Sequence, residues 1–295
     1  MQPWKKTVLS FLVGGTLALA AQAILAVWTV MLTGTPMEFF IGGATLVSMG
    51  VIGFLLGGFA VYQILGEWAD FGSYLPFSGF SMAVGMKAVG PWTKGESLGK
   101  CIWNMGWLVI WFNAVGAVVC ILFGYICQMT GLNADPLFVA EKNTSATIFP
   151  LAFLMGGILC SIFQIVWEIE KAVLPGKAQH VHVLMFAWMC GAIFAPCGLS
   201  SMLVNIFGEG FAVMIPIGGL NMYNVGVDLA LGGAHAAAGM VHLGSFLLAV
   251  CGLFVCGCMT FLIYNARNGR KPINKVQAEM AQKLVDRKLN GPAGH

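Results

Sequence analysis

Phe11-Leu12-Val13-Gly14-Gly15, followed by Gln22, returns as Phe153-Leu154-Met155-Gly156-Gly157, followed by Gln164, at identical spacing. Two further matches come in the same order. Leu75-Pro76-Phe77-Ser78-Gly79-Phe80 answers to Ile215-Pro216-Ile217-Gly218-Gly219-Leu220, and Val84-Gly85-Met86-Lys87 answers to Val225-Gly226-Val227-Asp228. Self-similarity over such a distance marks two copies of one structural unit. Asn104-Met105-Gly106 aligns more loosely with His242-Leu243-Gly244.

Around these repeats the chain is apolar. Of 295 residues, 58% are hydrophobic and 9% charged, with a mean hydropathy of +0.84. A soluble domain carries roughly 25% charged residues. This composition cannot coat a surface in water, so lipid is the expected solvent. Six uncharged stretches are long enough to cross a hydrocarbon core of ~30 Å as helices. They are Val8–Leu32, Phe39–Leu65, Cys101–Met129, Ile148–Trp167, Val183–Phe207 and Leu243–Ala266. Trp28, Trp68, Trp103 and Trp167 stand near their ends, where an amphipathic ring favours the interface.

Two other apolar stretches, Phe71–Met86 and Gly210–Val227, contain Pro76 or Pro216 among several glycines. Proline and glycine weaken a continuous helix. Such backbone is tolerated at membrane depth only inside protein or beside a water-filled cavity. Both are therefore read as re-entrant, broken segments. Charge supports that count. With six spans and a cytoplasmic N-terminus, 14 of the 15 Lys and Arg fall inside and Lys142 alone falls outside. Eight spans would move Lys87, Lys94, Lys100, Lys171 and Lys177 outside, against the positive-inside rule. Lys5-Lys6, the apolar run and Ala18–Ala23 also fit a cleaved signal peptide. Val8–Leu32 is long for one, however, and its pattern returns mid-chain.

The expected fold is an all-α polytopic membrane protein. A first repeat covers 1–131, an external linker 132–147, a second repeat 148–266 and a basic cytoplasmic tail 267–295. Three spans per repeat is an odd number, so the second copy is expected upside down. Inverted repeats recur in transport proteins, with discontinuous segments lining a solute site near mid-membrane. Duplication could also serve only to build a larger bundle.

Candidate pathway residues follow from that plan. Gln22 and Gln164 are amides deep in spans, where burial without a partner costs roughly 2–7 kcal/mol. They bond either another helix or a solute, and Asn113 carries the same ambiguity. Pro76, Ser78 and Gly79, with Pro216, Gly218, Gly219 and Asn221, lie in the broken segments, whose turns expose backbone polar groups. Lys87 and Asp228 follow the two segments with opposite charge. They are either mouths of a pathway or ordinary interfacial charges. Glu67, Asp70 and Glu209 stand at the segment entrances as candidate cation sites or solvated ends.

Other features exclude more than they suggest. The nine cysteines form no CxxC pair and read as small apolar helix residues. His235 and His242 share a helical spacing, and His180 and His182 share a loop. Neither pair has further credible ligands, so no metal site is expected. There is no nucleophile–base set and no phosphate loop, so neither an enzyme, a cofactor nor a nucleic-acid partner is expected. Gly53-Phe54-Leu55-Leu56-Gly57 reads as a packing seam. In the tail, Val276, Met280 and Leu284 recur with charges between, as in a surface amphipathic helix; a solvated, disordered tail is the alternative.

The motifs also carry a likeness. Ala152-Phe153 through Gly156-Gly157, Cys160 and Gln164 resembles the opening of the stage V sporulation AC/AEb membrane protein family. Phe11–Gln22 resembles it without the cysteine. Phe71-Gly72 through Pro76-Phe77-Ser78-Gly79-Phe80, then Glu96 and Asn104-Met105, resembles the elements that follow. The chain looks like two family domains fused. Ser81-Met82 stand where the family usually has Asn, and the second copy reads Gly219-Leu220-Asn221 with an insertion. The resemblance implies a channel or transporter subunit in the inner membrane, with a small anionic or chelated solute such as calcium-dipicolinate and other membrane subunits as partners. In a spore former it implies the forespore inner membrane. A non-conducting scaffold that recruits partners is the alternative reading.

Overall fold

The computed structural model describes residues 2–133 and 141–290. The central part of the expected linker and the extreme C-terminus lie outside them. Among the described residues the chain is helical, and its one β element is an isolated antiparallel bridge. The first half runs α1 (Pro3–Leu32), α2 (Ile41–Gly58), α3 (Tyr62–Ala69), α4 (Phe71–Tyr74), α5 (Phe77–Thr93) and α6 (Leu98–Thr130). The second repeats the order as α7 (Ile148–Val173), α8 (His180–Ile193), α9 (Leu199–Phe207), α10 (Glu209–Ala212), α11 (Pro216–Leu231) and α12 (Gly233–Asn268). Helix α13 (Ile273–Asn290) follows.

Five helices are long and apolar enough to cross a membrane: α1, α2 with its preceding turn, α6, α7 and α12. The protein is a multi-pass membrane protein. Local signals set the ends of these helices. Ser97 caps α6 by accepting the Lys100 N–H, and Gly131, at φ +70°, ends it in a left-handed turn.

Two expected spans are shorter than the sequence suggested. Phe39–Leu65 stops being one helix at Gly58, where Ala60 takes φ +61° and the chain turns into α3. Val183–Phe207 is two helices. Helix α8 has 14 residues, and Pro196-Cys197-Gly198 turns the chain into α9 with Gly198 at φ +73°. Each half therefore carries a two-piece arm, α3–α4 or α9–α10. The breaks lie within the two expected broken segments. They fall at Leu75-Pro76 and Val213–Ile215, and α5 and α11 continue as regular helices.

The copies of the repeat pack directly on each other. Gly14 faces Cys160 and Gly156, Gly15 faces Phe153, and Gly157 faces Phe11. Residues that advance along α1 meet residues that recede along α7, so the pair is antiparallel. The double glycines let the backbones touch, because a Cβ at any of them would collide with the partner helix. Phe11 and Phe153 close the crossing edge to face, 5.7 Å apart.

Helices α5 and α11 form the centre. Helix α5 packs on α2, α6 and α12, and α11 packs on α8, α12 and α6, so each touches the last long helix of both halves. Gly53 of α2 accepts the Ser78 carbonyl where a Cβ would stand, and Gly191 of α8 accepts the Pro216 carbonyl in the same way. The arms tuck between α1 and α7. Helix α13 packs back on the body through Val276 and Met280, which resolves the tail reading in favour of a helix.

Candidate functional site

The arms meet tip to tip. Pro76 pairs with Met214 in the antiparallel bridge, and Phe77 N–H donates to the Val213 carbonyl at 3.1 Å. Beside this junction lies a cavity of about 270 Å³. Its walls come from α2, α5, α6, α8, α11 and α12. Much of the surface is aromatic: Phe80, Phe112, Trp188 and Phe246 form a chain with ring centroids 4.6, 5.2 and 6.0 Å apart. The polar groups are Asn113, Asn221, Asn224, His242, Ser245 and the Trp188 indole N–H. None of the lining residues is Asp, Glu, Lys or Arg.

The indole is the most informative group. Trp188 is 2% exposed, and its Nε1 has no hydrogen-bond partner among the described residues. A buried donor without a partner is costly, and native structures keep few of them. Nε1 faces Gly218 in the first turn of α11, and a side chain there would collide with it. The N-terminus of this 16-residue helix carries partial positive charge. Trp188, whose N–H has no partner among the described residues, thus stands in the cavity wall beside a positive helix end.

The arms are held from behind by the two repeated glutamines. Gln164 Oε1 accepts from the Phe71 N–H (3.0 Å) and Ser10 Oγ (3.2 Å), and Nε2 donates to Glu168 (2.9 Å). Gln22 Oε1 accepts from the Glu209 N–H at 3.0 Å. Each amide comes from the other half's first helix and satisfies the start of a short arm helix, α4 or α10. Such ends leave N–H groups without intrahelical partners. The turns before them match as well. Asp70 has φ +44° and ψ −109°, and Gly208 has φ +51° and ψ −127°.

Residues 6–130 match the SpoVAC/SpoVAEB sporulation membrane protein family. The matched residues span α1 to α6; α7 to α12 lie beyond them. The match agrees with the resemblance read from the motifs. No curated protein and no solved structure matches the chain.

Only some of the expected pathway residues reach the cavity. Gly218 and Asn221 line it. Gln22 and Gln164 sit in the buried caps described above. In the first half, Pro76 forms the bridge. Ser78 is buried, with its hydroxyl 2.8 Å from that of Tyr62, and Gly79 packs on the Ser73 carbonyl. Pro216 packs on Gly191 and Gly219 on the Trp188 carbonyl. Asp228 lies 3.7 Å from His242 Nδ1 and ties α11 to α12. Lys87 opens onto a separate groove between α5 and α6.

The sequence reading missed a polar knot at the bend between α3 and α4. Asp70, 5% exposed, receives His180 Nε2 at 2.7 Å, Trp167 Nε1 at 3.0 Å and Lys6 Nζ at 3.4 Å. His180 lies against Phe71, Tyr74 and Trp167, with ring centroids 5.4, 4.7 and 4.3 Å away. Asp70 and Glu209 are thus buried rather than solvated ends, whereas Glu67 stays exposed. No signal within the sequence joins Asp70 to His180. The Trp188 donor also went unread, because an indole in an apolar run looks like any core residue. Among the described residues no group of His, Cys, Asp and Glu could hold a metal ion.

Proposed function

We propose that the chain is a membrane channel or transporter subunit in which two fused family domains lie in the bilayer with opposite orientations. Six crossings, formed by the five long helices and α8, bring the N- and C-termini to the cytoplasm. The arms α3–α4 and α9–α10 enter from opposite faces and meet at mid-membrane. The antiparallel α1–α7 pair and the Pro76–Met214 junction support this arrangement. The solute is small and carries acceptor oxygens, as an anion or a chelate does. Dipicolinate with calcium is the reading that the family likeness favours, and the forespore inner membrane is the site if the host sporulates.

The observation that carries the proposal is the uncharged cavity beside the junction of the arms, walled by aromatic rings, three asparagines and Trp188, whose N–H has no partner among the described residues. An uncharged wall of N–H and amide donors binds an anion without trapping it, which a permeation site needs. The test is flux in proteoliposomes holding only this protein. Dipicolinate should equilibrate faster than in protein-free vesicles. A folded protein that leaves the flux at the protein-free rate would overturn the proposal in favour of the scaffold reading.

A further inference from the structure

A groove that shares no lining residue with the cavity runs along the outside of α5 and α6. It measures about 580 Å³ and lies between the last turns of α5 and the first half of α6. Three lysines reach it: Lys87, Lys94 and Lys100. Lys100 is paired with Glu96 at 2.8 Å. Lys87 and Lys94 have no ion pair among the described residues, although both help line the same groove. Lys87 lies within α5, and Lys94 is the residue that caps its C-terminal end. Arg270 stands near the same end, stacked on Trp92 at 4.0 Å.

Glu96 and Asn104 also line the groove, and its far end is apolar. Trp107 and Trp111 continue it along α6 and are 55% and 41% exposed. Beyond them the outer face of α6 is an uninterrupted apolar surface, with Ile110, Val118 and Leu122 each more than half exposed. A free small anion would meet the lysines and leave the tryptophan half of the groove unused. An amphiphile uses both ends. Its phosphate sits among the lysines, and its chains run down the tryptophan face into the bilayer. Basic pockets between membrane helices recognise anionic headgroups in this way, and each Lys near the surface contributes on the order of 1 kcal/mol. Tryptophan at headgroup depth is the other half of the pattern.

We infer that the α5–α6 groove is a binding site for an anionic phospholipid, with Lys87 and Lys94 holding its phosphate and Trp107 and Trp111 its glycerol and upper acyl chains. Lys87 lies ~9 Å before the end of α5. A lone ammonium at that depth is costly in lipid, and a lipid phosphate supplies its counter-charge. The site explains a lysine that does not reach the central cavity.

Native mass spectrometry of the full chain in detergent tests this. The protein would be titrated with dioleoyl phosphatidylglycerol, dioleoyl phosphatidylcholine or inorganic phosphate. Phosphatidylglycerol should be retained in preference to phosphatidylcholine, and inorganic phosphate should not displace it. The double variant Lys87→Gln/Lys94→Gln should bind phosphatidylglycerol about 30-fold more weakly and phosphatidylcholine unchanged. The variant Lys87→Arg/Lys94→Arg, which keeps both charges, should bind as the parent does and so exclude a folding defect. Equal retention of the two lipids, unaltered binding by the glutamine variant, or displacement by inorganic phosphate would each overturn the inference. None of these readings depends on flux through the cavity.

Discussion

Trp188 and the two glutamines separate function from scaffold at the level of single side chains. Trp188→Phe removes one N–H and leaves an aromatic ring between Phe112 and Phe246. The donor has no partner among the described residues, so no hydrogen bond seen in the fold is lost. The melting temperature in detergent should stay level or rise, while dipicolinate flux falls roughly 2- to 10-fold, the worth of one hydrogen bond. A drop in melting temperature with unchanged flux would assign the indole to packing. Gln164→Leu and Gln22→Leu should behave in the opposite way. Each strips the acceptor from a buried helix start, which costs about 1–3 kcal/mol. Thermal unfolding should register that loss in both variants. Asp70→Asn keeps the shape of the knot but removes the charge opposite Lys6, and it should be less stable than the parent by the same assay. The sequence made the glutamines visible because an amide in a span must have a partner. It could not say that the partner is backbone, because that partner lies in the other half of the chain.

The arms account for both the successes and the misses at the scale of elements. The sequence exposed them as proline and glycine in apolar runs, and the repeat made them a pair. Their register was less legible. Matching Pro76 to Pro216 looks natural in the letters, yet the contacts pair Pro76 with Met214. They also give the Ser78 and Pro216 carbonyls the same seat on a glycine of the preceding helix. A backbone carbonyl can take that seat from any residue, so residue identity carries no trace of it. The break inside Val183–Phe207 was signalled by Pro196-Cys197-Gly198, but overall hydropathy hid it. Two substitutions test the seats. Gly53→Val and Gly191→Val put a Cβ into the carbonyl of Ser78 or Pro216, and overpacking of this kind costs about 1–3 kcal/mol. Both variants should melt earlier than the parent and lose flux together with stability. Pro216→Leu, next to the junction of the arms, should lower flux more than Met280→Ala on the distant α13. Equal effects would detach the arm from the pathway.

The composition already required lipid as solvent, and the reading of three spans in each repeat predicts an inverted second copy. The helices add the means by which the halves hold together. Glycine pairs bring α1 against α7, and each central helix is shared between the last long helices of both halves. All of this turns on the linker and the tail facing opposite sides of the membrane. Epitope tags placed in the linker between Asn133 and Thr144, and after His295, would be probed in intact and permeabilised cells. The linker tag should react in intact cells, and the tail tag only after permeabilisation. Both tags reacting from the same side would contradict the account.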